Sequence, residues 1–143
     1  SGVFPETVAI DNGRYTRWCF FLAEGWRNYL RAPIEDVAAF QYQAINRAIL
    51  DARASVPAGQ WVEVFYEDLV RDPVAGYQKL YADCGLAFTP EVRAHCEQVL
   101  SKPYDVFGEI ELDKWKKGRN RERVERVLER VAAVAAEMGY PQR

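Results

Sequence analysis

Six of the ten residues from Lys114 to Arg123 are basic, in a chain whose net charge is −2. Positive side chains at the start of a helix oppose the helix dipole and cost roughly 0.3–1 kcal/mol each, so this concentration indicates a use other than helix stability. Cations beside the free N–H groups of a helix N-terminus hold phosphate well. The segment is therefore a candidate phosphate-binding site, and a solvated helix start is the plain alternative.

A tyrosine and two carboxylates, Tyr66, Glu67 and Asp68, come at the end of a second informative segment. The β-branched and aromatic run Trp61–Tyr66 predicts a strand. Because open α/β sheets bind their ligands at the carboxyl ends of strands, Tyr66 is a candidate ligand contact. Glu67 and Asp68 either accept hydrogen bonds from the backbone of a turn or meet a basic partner.

Groups suited to metal or proton chemistry are few. The cysteines Cys19, Cys84 and Cys96 form no C-x-x-C pair and have no histidine set nearby, so we predict no metal site. We expect buried, reduced thiols, which fit a cytoplasmic protein. The sole histidine, His95, falls inside a predicted helix, where a solvated or packed side chain is expected. No residue is predicted to be catalytic.

Size and composition indicate one compact domain. The chain has 143 residues, is 49% hydrophobic, and carries 19 basic against 21 acidic side chains. That balance gives no sign of nucleic-acid binding, which usually shows as a basic surplus. No run approaches the roughly 20 apolar residues of a membrane span. We therefore expect an irregular lead-in over residues 1–13, followed by a single domain over 14–143, with no nucleic-acid or membrane partner.

The sequence predicts one strand among several helices. A lone strand leaves backbone donors and acceptors without partners, at roughly 1–3 kcal/mol for each buried group. We therefore expect it to join a sheet formed by the rest of a parent chain or by another protomer. Residues 101–118 are predicted to form a long loop. Apolar periodicity and capping residues predict helices over 14–30, 33–54, 73–84, 90–100 and 120–138.

The order Y-E-D-L and then D-P between Val64 and Pro73 resembles a signature of the sulfotransferase superfamily. The helix around Tyr77–Leu86 and the end of the chain, from Trp115-Lys116 to Met138–Tyr140, are similar to later elements of that family. The resemblance runs from about Trp61 to Tyr140. It implies an α/β, P-loop-like, three-layer fold, of which this chain is a mostly helical C-terminal portion with one core strand.

The resemblance implies an enzyme that moves a sulfuryl group from 3′-phosphoadenosine 5′-phosphosulfate to a hydroxyl or amine. Tyr66 is then expected beside the adenine. In the cytosolic branch of the family, a basic, glycine-containing segment binds the 3′-phosphate. The R-K-G-x-x-G motif of that segment is absent here. The implied phosphate contacts are Lys114, Lys116, Lys117 and Arg119.

The aromatic-rich start of the chain falls where family members enclose the acceptor. The resemblance thus implies a substrate pocket that includes Tyr15, Trp18 and Trp26, with core packing as the alternative. The family's donor-binding loop, which resembles a P-loop, is not found in this sequence. We therefore expect the chain to be part of a longer protein and inactive alone. Two alternatives stay open: a non-catalytic, sulfotransferase-derived interaction domain, and a fragment of another P-loop nucleotide-binding protein.

Overall fold

A computed structural model of the chain describes residues 2–18, 22–101 and 109–141. The protein is mixed α/β and mostly helical, as predicted. It divides into two compact units. The first unit joins Ser1–Ser55 to Arg119–Arg143, and the second unit is Val56–Gly118.

The first unit opens with a β-hairpin. Strand β1, Gly2–Ile10, pairs antiparallel with β2, Gly13–Trp18, and their register shifts between Val3 and Val8. Asp11 in the two-residue turn has a left-handed φ of 52°, a conformation that Asp and Asn tolerate better than most residues.

The hairpin corrects two predictions, the irregular lead-in over 1–13 and the helix over 14–30. The turn residues Asp11-Asn12-Gly13 suit a tight hairpin connection. Of the aromatic residues at helical spacing, Trp18 lies in β2 and Trp26 in a 3₁₀ turn, Trp26–Tyr29. Spacing alone misled here because the residues up to Trp18 pair with another strand, which helical spacing does not reveal.

A small aromatic core joins the hairpin to the 3₁₀ turn. Phe4 and Val8 from β1 are buried against Trp26, and the rings of Phe4 and Trp26 lie 4.7 Å apart. Tyr29 in the same turn stacks at 4.2 Å on Phe40. Phe40 belongs to the following helix, so the core ties the hairpin to that helix.

Two long helices form the rest of the first unit. Helix α1 spans Ile34–Ser55, and α6 spans Arg121–Glu137, which confirms the helices predicted at these places. Arg126 pairs with Glu35 at 2.6 Å, and Arg47 pairs with Glu137 at 2.7 Å. Because the partners advance in the same direction along both helices, α1 and α6 run parallel.

The described part of the second unit contains a 3₁₀ turn, Ala58–Gln60, and four α-helices. Helix α2 is Tyr66–Arg71, α3 is Pro73–Asp83, α4 is Pro90–Gln98 and α5 is Lys114–Lys117. The caps of α3 and α4 follow the sequence signals: Asp72 accepts a hydrogen bond from the N–H of Ala75, and Thr89 accepts one from Val92. The helices predicted over 73–84 and 90–100 are thus confirmed. The loop predicted over 101–118 contains α5, and residues 102–108 lie outside the described part.

The predicted strand Trp61–Tyr66 is wrong in two respects. Tyr66 is the first residue of α2, because Phe65 O accepts hydrogen bonds from the N–H groups of Asp68 and Leu69. Trp61 and Phe65 have extended dihedral angles, but strand pairing among the described residues is confined to β1 and β2. An extended segment becomes a strand only when a neighbouring strand supplies the ladder of hydrogen bonds. The prediction of a single strand in the chain is also wrong, because β1 and β2 form a hairpin.

Candidate functional site

Tyr66 lies where an extended segment turns into a helix. The backbone is extended at Phe65, with φ −92° and ψ 129°, and α2 begins at the next residue. The side chain of Tyr66 is 54% exposed. An exposed phenol ring at a helix start is accessible to a planar ligand, which is what the predicted adenine contact requires.

The acidic residues after Tyr66 have local contacts. Asp68 accepts a hydrogen bond from Arg71 at 2.9 Å, one turn later on α2. Asp72 caps α3. Glu67 is half-buried in the first turn of α2, where a negative charge complements the helix dipole. Asp68 thus meets a basic partner, which is the second of the two alternatives predicted for the acidic pair.

Three lysines of the basic segment cluster on the short helix α5. Lys114 donates to the backbone oxygen of Glu109 at 3.0 Å. Lys116 pairs with Asp113 at 3.0 Å, and Lys117 donates to the carboxylate of Glu111. Each of these lysines therefore contacts an oxygen from a residue that shortly precedes it in the chain.

Carboxylates of nearby residues partly neutralise the lysines of α5. The hydrogen bond to Glu111 and its charge raise the pKa of Lys117 above the ordinary value of 10.5. The ammonium of Lys116 lies 5.7 Å from the ring centre of Trp115. Arg119 is exposed and forms no ion pair within the described ranges. A phosphate reaching this segment therefore meets several accessible cations.

The residues of the predicted donor site are divided between the two units. Lys114, Lys116 and Lys117 share α5, and Tyr66 opens α2 in the same unit. Arg119 belongs to the first unit. The three lysines are close neighbours in the sequence, and their common action with Tyr66 and Arg119 stays a prediction.

The predicted acceptor residues have different environments. Trp26 is only 6% exposed and packs in the aromatic core. Tyr15 is 50% exposed on β2, opposite Val8. Trp18 ends β2, and its side chain lies outside the described part. Core packing accounts for Trp26, and a pocket role for these three residues stays a prediction.

Sequence reasoning missed a groove between α1 and α6. Its volume is about 380 Å³, and Arg47, held by Glu137 through two hydrogen bonds, lies at its edge. The two helices are far apart in the sequence, so only their apolar periodicity could have signalled that they pair. The groove is lined by Phe40, Gln43, Ala44, Arg47, Ala133 and Val134.

The thiols and the other titratable groups indicate no further chemistry. Both described cysteines are free; Cys96 is buried as predicted, whereas Cys84 is exposed, so the prediction of burial is wrong for Cys84. Burial raises the pKa of the Cys96 thiol. Cys19 lies outside the described part. Within the described ranges, no three His, Cys, Asp or Glu side chains group as metal ligands. None of the described helices is both long and apolar enough to cross a bilayer.

The family of the chain follows from its match to a protein-family model. A model of the sulfotransferase family matches residues 8–90, which is more than half of the 143 residues. The chain belongs to the sulfotransferase family. The Tyr66 turn, α1 and α3 of this sulfotransferase chain lie inside the matched region, whereas α5 and α6 lie beyond it. No curated protein and no solved structure matches the chain.

Proposed function

We propose that this sulfotransferase chain is part of an enzyme that transfers a sulfuryl group from 3′-phosphoadenosine 5′-phosphosulfate to a hydroxyl or amine. The observation that carries the proposal is the family match over residues 8–90, which includes the Tyr66 turn. The proposal includes a cytoplasmic location and the family's three-layer, P-loop-like fold. In that fold, Trp61–Phe65 joins a sheet completed by the rest of a parent chain or by another protomer.

The proposed reaction is a displacement at sulfur. The acceptor oxygen or nitrogen attacks the sulfur atom, and the bond from sulfur to the 5′-phosphate oxygen breaks. That oxygen keeps the electron pair, so 3′-phosphoadenosine 5′-phosphate leaves, and the acceptor proton passes to a base. Catalysis of such a step depends on in-line positioning and on cations near the developing charge.

The residues of this chain suit the nucleotide end of the donor. Tyr66 is accessible for stacking on adenine, a contact that any base can make through its π face. The exposed lysines of α5 and Arg119 suit the 3′-phosphate, because flexible ammonium groups bind phosphate as point charges. No residue of this chain is assigned to the sulfuryl group or to the base.

Calorimetry of the full-length protein with 3′-phosphoadenosine 5′-phosphate tests the proposal. We expect saturable binding, and weaker binding of ATP, which lacks the 3′-phosphate. The proposal fails if no heat of binding appears at millimolar nucleotide. Preference for ATP supports instead the alternative of another P-loop nucleotide-binding protein.

Turnover is a separate test. The full-length protein is incubated with the sulfate donor and sets of small alcohols, phenols, sugars and amines, and sulfated products are sought by mass spectrometry. Release of 3′-phosphoadenosine 5′-phosphate together with one sulfated class supports the transferase. Nucleotide binding with no turnover in any class favours a non-catalytic role.

A second candidate function is self-association through the segment Trp61–Phe65. Val62 and Val64 are two residues apart, the spacing of one face of a strand, and both are exposed. If the segment pairs with another copy, light scattering of the isolated chain shows a dimer that Val64→Lys disrupts. A monomer at all concentrations removes this candidate and favours completion of the sheet within one chain.

A further inference from the structure

The lysines of α5 are already occupied by oxygens of the chain itself. Glu111 accepts from Lys117, and Asp113 lies 3.0 Å from Lys116. Both carboxylates come from the few residues directly before α5. A phosphate that binds Lys116 or Lys117 therefore competes with a carboxylate that is already in contact.

Both ion pairs are accessible to solvent. The side chain of Lys117 is 71% exposed and that of Glu111 is 39% exposed. Lys116 and Asp113 are 38% and 46% exposed. Ion pairs in such positions are weak, because water and salt screen them and long side chains lose freedom to form them. Each pair can open by side-chain rotation alone.

The backbone fixes one of the two carboxylates near its lysine. Asp113 has a φ of 56°, a left-handed conformation, at the residue directly before α5. Asn and Asp adopt this conformation more readily than other residues with side chains. An Asp113→Asn substitution therefore removes the charge and keeps a residue suited to the turn.

We propose that Glu111 and Asp113 act as built-in counter-ions that the 3′-phosphate of the donor displaces from Lys117 and Lys116. The inference rests on the proposed function, because it concerns the same lysines. A phosphate dianion brings more charge and more acceptor oxygens than one carboxylate, so it competes well for both ammonium groups. A nucleotide without a 3′-phosphate gains nothing from opening the pairs. The carboxylates therefore weaken the binding of nucleotides that carry a 3′-phosphate and leave the binding of nucleotides without one unchanged.

Charge-neutral variants of the full-length protein test this inference by calorimetry. We expect Glu111→Gln and Asp113→Asn each to bind 3′-phosphoadenosine 5′-phosphate about two- to fivefold more tightly, the range that corresponds to one exposed ion pair. Affinity for adenosine 5′-phosphosulfate, which lacks the 3′-phosphate, is expected to stay unchanged. Circular dichroism checks that each variant keeps its helix content.

Glu109→Gln is the matched control. It also removes one negative charge near α5, but Lys114 contacts only the backbone oxygen of Glu109. We expect its affinity for 3′-phosphoadenosine 5′-phosphate to equal that of the unchanged protein. Equal tightening in Glu109→Gln would mean a general charge effect and would overturn the inference.

The outcomes separate this inference from the proposed function. If the unchanged protein binds the nucleotide and neither variant at Glu111 or Asp113 binds it more tightly, the counter-ion role is wrong and the proposed function stands. If the unchanged protein and all variants fail to bind at millimolar nucleotide, the proposed function fails and the inference fails with it.

Discussion

Tyr66 was predicted to end a strand, but in the structure it begins a helix. As the end of a strand it would lie at a sheet edge, but it begins α2, and its ring is accessible. The accessible ring keeps the adenine contact physically reasonable, since stacking requires only an exposed π face. The proposed role therefore survives a wrong assignment of secondary structure.

Replacing Tyr66 by Ala is expected to weaken binding of 3′-phosphoadenosine 5′-phosphate by about tenfold, because stacking of a base on an aromatic ring contributes roughly 1–3 kcal/mol. Tyr66→Phe keeps the ring and is expected to bind like the unchanged protein. Calorimetry measures both. If Ala and Phe bind with the same affinity, Tyr66 does not stack on the nucleotide.

Trp26 and Tyr15 were both predicted to line the acceptor pocket, but their environments differ sharply. Trp26→Ala empties a buried site in the aromatic core and is expected to lower the free energy of unfolding by about 3–5 kcal/mol. Tyr15→Ala is expected to change it by less than about 1 kcal/mol, since Tyr15 is half exposed. Urea unfolding followed by circular dichroism measures the free energy of unfolding of both variants. Equal losses would show that Tyr15 also supports the core.

At the scale of elements, α1 and α6 illustrate how residues distant in sequence hold a unit together. Val37 on α1 and Val134 on α6 are buried. Arginine–carboxylate pairs such as Arg47–Glu137 line the two helices along their length. The apolar contacts supply the attraction, and the ion pairs fix which faces meet. Pairing of these helices is therefore specific although their ion pairs are mostly exposed.

The Arg47–Glu137 pair makes the stability of the first unit depend on pH. The hydrogen bond from Arg47 and its charge lower the pKa of Glu137 below the ordinary value of 4.5. A carboxylate with a lowered pKa in the folded state stabilises it above its unfolded-state pKa, and this contribution is lost as the pH falls through the folded value. Stability measured by urea unfolding is thus expected to fall as the pH drops below about 5.

Glu137→Gln is expected to reduce this pH dependence, because the group that titrates is gone. Glu129→Gln, on the exposed surface of the same helix, is the control and is expected to keep the dependence of the unchanged protein. If Glu137→Gln and Glu129→Gln give the same curve, the Arg47–Glu137 pair does not contribute to the acid sensitivity.

At the scale of the whole molecule, the first unit is assembled from two ends of the described chain. Ser1–Ser55 and Arg119–Arg143 form it, and Val56–Gly118 is a separate unit between them in sequence. The first unit therefore depends on closing a long loop, at an entropic cost that grows only slowly with loop length. Contacts between α1 and α6 must offset that cost.

Shortening the chain to end at Gly118 removes α6 and is expected to speed amide hydrogen exchange along α1, because its packing partner is lost. Exchange in α3 is expected to stay unchanged, because its contacts with α2 and α4 lie within the second unit. Mass spectrometry of peptides from α1 and α3 measures the exchange rates of both helices. Unchanged exchange in α1 would show that α6 contributes little to the first unit.

Much of the fold was determined by local signals in the sequence. The caps Asp72 and Thr89, each followed by a proline, fixed the starts of α3 and α4, because capping and proline act within one helical turn. The Y-E-D-L turn predicted family membership, which the family match confirms. The basic character of α5 was equally plain from its residues.

Strand pairing, burial and long-range ion pairs depend on residues that are distant in sequence, so only the tertiary structure decided them. Trp61–Phe65 has the composition of a strand but no place in the described sheet, while the segments around Asp11 form a hairpin. The burial of Trp26 and the pairing of Arg47 with Glu137 likewise require elements that the chain brings together only on folding. Helix caps act over a few residues, whereas strand pairing and burial depend on which other surfaces are present.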